Sequence, residues 1–356
     1  MIDLTETKRV RRDLDIDNVK RVYGCYVCAG QIVARMSIPV LDLSNEEKEM
    51  YTKLFRKCIS GRQDKNLLEI EMRESDQQKT LYALAGAELE SDEMREALYE
   101  QIIENLTIDK NYCIILMADN YDIVSYDGDE DFMEKDGSTF NYFICGICPI
   151  KESKAELRYA PEQEEFRMNA TGSVMANPML GFMYPAYLDG NADIFKALYY
   201  TTDESHEELS QALFGVEPPL TAKEQKEDFE TNMFEVLRED YNLETAALVY
   251  SDLYEAKENE ETYTFSELSN VLEKRNVSEE KVTKLREVIR EELVPVNLVS
   301  KKYEIRTDDT VITTEPENAL MIKTREIDGR TYILVPANGG ITVNGQDVFP
   351  ESEDNN

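Results

Sequence analysis

Histidine is almost missing from this chain, tryptophan is missing altogether, and basic residues are scarce: 1 His, no Trp, and 39 Lys and Arg against 73 Asp and Glu. Each shortage excludes something. A lone imidazole cannot furnish a His-Glu-x-x-His site or a multi-histidine metal centre, and it leaves one candidate base for any serine or cysteine nucleophile. The formal net charge of -34 repels the phosphates of DNA, RNA and anionic lipid. Attraction to nucleic acid would therefore need a local basic patch or a nucleoprotein partner. Among the 15 glycines there is neither a Gly-x-x-x-x-Gly-Lys-Ser/Thr loop nor a Gly-x-Gly-x-x-Gly fingerprint, which removes support for common nucleotide chemistry. The longest apolar stretch, Tyr112 to Ala118, is far short of a membrane span. The opening Met-Ile-Asp-Leu-Thr-Glu-Thr-Lys-Arg develops no apolar signal region. A soluble cytoplasmic protein is expected, its six cysteines (Cys25, Cys28, Cys58, Cys113, Cys145, Cys148) reduced.

What is present suffices for folding. A hydrophobic share of 42% with 20 Tyr and 12 Phe is near the globular average, so the acid belongs to the surface and does not replace a core. At 356 residues the chain fits two or three domains of about 150 residues each or less. The expected class is α+β: a mixed α/β N-terminal sheet domain over 1–217, a helical segment over 218–295 bounded by Pro218-Pro219, and a small antiparallel β domain over 296–356.

Local signals place the elements. Val19 to Val27 and Gln31 to Ile38 read as a hairpin around Ala29-Gly30. Ser44 with Glu47 is a capping box opening a helix that Gly61 stops. Leu67 to Met72 reads as a strand, Gln77 to Leu89 and Asp92 to Leu106 as helices, and Tyr112 to Ala118 and Phe140 to Ile150 as buried strands. Glu156 to Tyr159 and Glu165 to Met168 read as short strands, and Gly181 to Tyr187 as an aromatic segment packing on the sheet, held to an edge or bend by Pro185. Helices are expected over Ala192 to Tyr200, behind Ser205 with Glu208, behind Thr221 with Glu224, over Leu243 to Glu258, over Phe265 to Lys274 behind Thr264 with Glu267, and over Glu279 to Leu293. Strands follow at Tyr303 to Arg306, Val311 to Thr314, Met321 to Ile327, Thr331 to Val335 and Ile341 to Val343, with Asp328-Gly329 and Asn344-Gly345 as turns.

Candidate chemistry is sparse. Cys25-Tyr-Val-Cys28 and Cys145-Gly-Ile-Cys148 could together hold zinc tetrahedrally, if strand pairing brings all four together. Both pairs lie in strand-like runs, however, where residues three apart point to opposite faces, so buried strand cysteines are the preferred reading. A redox role for Cys145 and Cys148 lacks the helix that should follow the motif. His206 sits in the acidic start Asp203 to Glu208 and reads as a solvated side chain. Asp127, Asp129 and Asp131 begin like a calcium loop, but Phe132 stands where glycine is required and Ser138 occupies the twelfth position. Lys8-Arg9-Val10-Arg11-Arg12 reads as a solvated helix end. Phe265 to Leu293 has the length of a helix-turn-helix, but its second helix is too acidic for a major groove.

The strings Val22-Tyr23-Gly24-Cys25-Tyr26-Val27, Leu67-Leu68-Glu69-Ile70, Ile144-Cys145-Gly146-Ile147-Cys148-Pro149-Ile150-Lys151, Gly181-Phe182-Met183-Tyr184-Pro185-Ala186 and Ile327-Asp328-Gly329-Arg330-Thr331-Tyr332-Ile333-Leu334 resemble a Clostridial family, domain of unknown function four-three-one-seven. The resemblance runs almost end to end. It implies no activity and assigns no catalytic residue.

The leading expectation is a non-enzymatic interaction or regulatory protein whose acidic faces choose a basic protein partner. The first alternative is a metal-assisted hydrolase with a carboxylate-lined cleft between the N-terminal sheet and Gly181 to Tyr187. The second is a nucleic-acid mimic or ribosome-associated factor. No residue is assigned as catalytic, cofactor-binding or metal-binding, no cofactor is expected, and neither direct nucleic-acid binding nor a membrane is expected.

Overall fold

The computed structural model describes residues 4–63, 65–125, 134–152, 156–160, 165–169, 172–188, 191–337 and 339–349. The chain divides into two compact units, Met1–Ala222 and Lys223–Asn356.

Unit 1 runs α1 (Leu4–Asp13), β1 (Arg21–Cys28), β2 (Gln31–Pro39), α2 (Asn45–Cys58), β3 (Leu67–Glu71), α3 (Asp76–Gly86), α4 (Asp92–Asn105), β4 (Tyr112–Ser125), β5 (Glu134–Glu152), β6 (Glu156–Ala160), β7 (Glu165–Asn169), β8 (Ser173–Met175), β9 (Leu180–Tyr184), β10 (Ala186–Leu188), β11 (Asn191–Asp193), β12 (Lys196–Thr201) and α5 (Glu207–Phe214). Its frame is an antiparallel sheet in the order β2-β1-β4-β5-β9-β12-β3, with β8 added on β5. One face carries Leu81 and Leu84 of α3, Leu98 and Ile102 of α4, and Leu213 and Phe214 of α5. The other carries Val10 of α1 and Phe55 and Cys58 of α2. Apolar cover on both sides explains why the central strands read as unbroken apolar runs instead of alternating ones.

Local chemistry sets the helix ends. Ser44 and Glu47 form the expected capping box of α2, satisfying two N-terminal amides reciprocally. At its other end Arg56 donates to the carbonyls of Arg12 and Leu14, which ties α2 to the C-terminus of α1. α2 crosses the sheet where Gly146 of β5 pairs with Gly181 of β9. A Cβ on Gly146 would stand 2.7 Å from Cys58 Sγ, and one on Gly181 2.8 Å from both Cys145 O and Cys58 Cβ. Only glycine permits this approach.

Three expectations need correction here. Ala192 to Tyr200 is not a helix but β11 and β12; Ala197 to Thr201 are buried, and an apolar run covered on both faces carries no period that separates strand from helix. Gly181 to Tyr187 is not an edge segment: β9 is an interior strand between β5 and β12 and stops before Pro185, which has no N–H to donate, while the expected bend does fall at Pro185 and Ala186 and Tyr187 beyond it are buried in the core on the α2 side. Ser205 caps no helix; the N-cap of α5 is His206 with φ 52.

Unit 2 runs α6 (Ala222–Leu237), α7 (Leu243–Glu258), β13 (Tyr263–Thr264), α8 (Phe265–Lys274), α9 (Glu279–Val288), β14 (Glu292–Leu293), α10 (Pro295–Leu298), β15 (Tyr303–Arg306), β16 (Val311–Thr314), α11 (Pro316–Ala319), β17 (Lys323–Ile327), β18 (Arg330–Leu334), β19 (Ile341–Val343) and β20 (Gln346–Val348). Met233, Leu237, Leu253, Phe265, Leu268, Leu272 and Leu285 form its helical core. The last helix is shorter than expected, because Glu292 and Leu293 leave it to pair with Thr264 and Tyr263. Three hairpins follow, β15–β16, β17–β18 and β19–β20. The Asp328-Gly329 and Asn344-Gly345 turns have φ of 51 and 72, and 52 and 81, the left-handed pair that a tight hairpin requires. Among the described residues no helix is long and apolar enough to cross a membrane.

Candidate functional site

The residues singled out for chemistry are dispersed. Cys25 and Cys145 face one side of the sheet and Cys58, Cys113 and Cys148 the other. Cys145 and Cys148 thus stand back to back, and one ion cannot take all four thiols of the two pairs. Burial pushes the Cys25 thiol up to about 12 and raises Cys145 and Cys148 strongly, the reverse of an activated thiolate. His206 is half-buried at a helix start, not solvated within the helix. Arg11 and Arg12 do end α1, and Arg12 pairs with Asp13 at 2.7 Å. Asp127, Asp129 and Asp131 lie outside the described residues. The cleft expected between the sheet and Gly181 to Tyr187 does not form, because Leu180–Tyr184 is itself a buried strand of that sheet.

Two other places gather side chains. The first is a cleft of about 250 Å³ in unit 1 at one end of the sheet. Arg21 and Tyr23 come from β1, Asn120 from β4 and Asn141 from β5, where Asn120 and Asn141 are register partners. Opposite them the α3–α4 turn supplies Glu88 and Glu90. That turn holds two successive non-glycine residues in the left-handed region, Glu88 at φ 48 and Leu89 at φ 62, at a cost of about 1–3 kcal/mol each. It persists because it is held from several sides: the Leu89 amide donates to Leu84 O, its side chain is fully buried, and its carbonyl accepts from Arg95. The Arg95 guanidinium in turn lies 3.9 Å over the Tyr23 ring. Asp119, also in the lining, accepts from the Asn120 amide at 2.8 Å and the Tyr142 hydroxyl at 3.2 Å, and burial raises its pKa.

The second is the β17–β18 hairpin. Its register sets Lys323 against Leu334, Arg325 against Tyr332 and Ile327 against Arg330. Strand alternation therefore collects Lys323, Arg325, Ile327, Arg330, Tyr332 and Leu334 on one side of the ribbon, and all six are exposed. Every basic residue between 320 and 349 is on that side, whereas Glu326 points to the other and Asp328 sits in the turn. None of the three cations forms an ion pair with a described residue. Of the twenty large apolar residues exposed among those described, ten fall between 320 and 349.

Neither place was found by motif. The hairpin carried a usable signal in the period-two strings Lys-x-Arg-x-Ile and Arg-x-Tyr-x-Leu, which needed only a question about facing. The cleft carried none, since its asparagines are scattered along the chain. No curated protein matches the chain. The family model described as Domain of unknown function (DUF4317) matches residues 3–346, a span that contains all five of the strings quoted above, and the chain belongs to that family.

Proposed function

We propose that this is a non-enzymatic protein–protein interaction protein whose docking element is the Arg325–Tyr332 side of the β17–β18 hairpin. One observation supports the reading: a cationic and apolar side, with three cations that pair with no described residue around Ile327, Tyr332 and Leu334, on a chain of net charge -34. Aromatic and arginine side chains are the usual anchors of an interface, and apolar patches rimmed by charge are where partners dock. The complementary occupant is a protein surface that is acidic and partly apolar. A nucleic acid would meet the same cations only against the field of the whole chain. The basic partner expected from composition would lie instead against the acidic remainder of the surface.

Capture of partners by the wild-type chain and by an R325E/R330E/Y332S variant, at low and at high ionic strength, tests this. Specific proteins should be lost from the variant and weakened by salt. Identical capture by both chains removes the hairpin from the reading, recovery of nucleic acid alone replaces its partner class, and metal-dependent turnover in a hydrolase panel removes the non-enzymatic part.

A further inference from the structure

We propose that the cleft at the end of the unit 1 sheet binds a neutral polyhydroxyl ligand the size of one sugar ring. Most of its charged side chains already have partners. Lys20 Nζ lies 2.5 Å from Glu88 Oε2 and 3.8 Å from Glu90 Oε1, Arg21 Nε donates to Ser37 Oγ at 3.1 Å, and Asp119 accepts the two hydrogen bonds given above. An anion such as phosphate would meet three carboxylates, Glu88, Glu90 and Asp119, against the two cations Lys20 and Arg21 in the lining, and a metal cation would compete with Lys20 for Glu88.

Apart from the terminal nitrogens of Arg21, what remains unengaged is uncharged. The carboxamides of Asn18, Asn120 and Asn141 line the cleft and hydrogen-bond to no described residue. Each offers donors and an acceptor on one group, which suits hydroxyls that both donate and accept. Ala118 and Tyr23 add apolar atoms to the lining, the Tyr23 ring itself being buried beneath the Arg95 guanidinium. The wall opposite is the α3–α4 turn, fixed by the Leu89 and Arg95 contacts, so the site is formed before any ligand arrives. A volume of about 250 Å³ admits a single ring and excludes extended chains.

Saturation-transfer NMR on the full chain with glucose, galactose, mannose and N-acetylglucosamine tests the assignment, with inorganic phosphate and adenosine in parallel. At least one hexose should bind, with an affinity independent of salt and lowered by about tenfold or more in an N120A/N141A variant. Should that variant fail to fold, N18A, outside the strands, gives the same reading. Absence of binding by all four sugars overturns the proposal, as does binding unaffected by the asparagine variants or binding of phosphate or adenosine alone. The hairpin variant R325E/R330E/Y332S should bind the sugar as wild type does, so this reading and the interaction reading fail separately.

Discussion

β9 in unit 1 and β17 in unit 2 are both five residues long, yet every residue of the first is buried and every residue of the second is exposed. Composition agrees with the difference, Leu-Gly-Phe-Met-Tyr against Lys-Thr-Arg-Glu-Ile, and the surroundings complete it. Leu180–Tyr184 has a strand on each side and helices over both faces of its sheet, whereas Lys323–Ile327 pairs only with β18. A two-stranded ribbon is marginal in water by itself, so its apolar side chains contribute little to folding where they stand. The contrast teaches that the chain separates residues that hold the fold from residues available to something else.

The widest gap between the two strands should come from truncating β9. Phe182 is fully buried with ring centroids 5.7 Å from Phe143 and 5.3 Å from Phe214. Phe182→Ala should cost about 4 kcal/mol in denaturant unfolding of unit 1, the range for a large core aromatic; a loss below about 1 kcal/mol would break the claim that this strand is central. Gly181→Ala should cost about 2 kcal/mol although it adds a methyl, because that methyl meets the Cys145 carbonyl oxygen and Cys58 at 2.8 Å. The shorter side chain in Cys58→Ala/Gly181→Ala should recover only part of the loss, since it removes the Sγ contact at 2.9 Å while those to Cys145 O and to the Cβ at position 58 remain.

Alkali should separate the units next. All six cysteines are in unit 1, and burial raises Cys25 from 9.0 to about 12. In unit 2 the groups raised to about 12 by burial are the tyrosines Tyr241 and Tyr303, which start from 10.0. A raised folded pKa means that the native state holds its proton longer than the unfolded chain. The stability it contributes is complete below the unfolded pKa and is lost as pH climbs toward the folded one, at about 1.4 kcal/mol per pH unit per group. Methyl NMR signals of unit 1 should therefore weaken from about pH 9 and those of unit 2 about one unit later. Simultaneous loss would contradict it.

Helix caps supply a control in which the units should agree. Ser44 and Thr264 open capping boxes with Glu47 and Glu267, and Ser44→Ala and Thr264→Ala should each cost about 1 kcal/mol. Unequal costs would show that one of the two helix starts is held by tertiary contacts instead.

Legibility followed the same division. The C-terminal hairpins and the capping boxes at Ser44 and Thr264 are readable because their signals are local: Asp-Gly and Asn-Gly favour one turn, and a Ser or Thr three residues before Glu favours a helix start, although at Ser205 and Glu208 the cap falls on His206 instead. Lys196–Thr201 was misread because Ala-Leu-Tyr-Tyr is apolar at every position, and only the sheet decides its conformation. The inward position of β9 is equally hidden, since Pro185 suggests an edge or a bend and only the bend, just past the last paired residue, is what forms. The cleft depends on residues at 18, 120 and 141 brought together by pairing that no local pattern encodes. The hairpin's charged side was readable in principle, because alternation places Lys323, Arg325 and Arg330 together without any long-range contact.

The smallest expected effect is also the sharpest test of the contrast. Tyr332→Ser in β18 removes an aromatic ring, as Phe182→Ala does in β9, but Tyr332 is 43% exposed. Its ring keeps a large part of its hydration in the folded state, so only a fraction of the transfer free energy is lost and no cavity opens. The cross-strand contact to Arg325 contributes a few tenths of a kcal/mol. Stability should change by less than about 0.5 kcal/mol while partner capture falls. A loss of about 2 kcal/mol or more, the range of a buried aromatic, would place the ring in a core and leave the hairpin no longer free to dock.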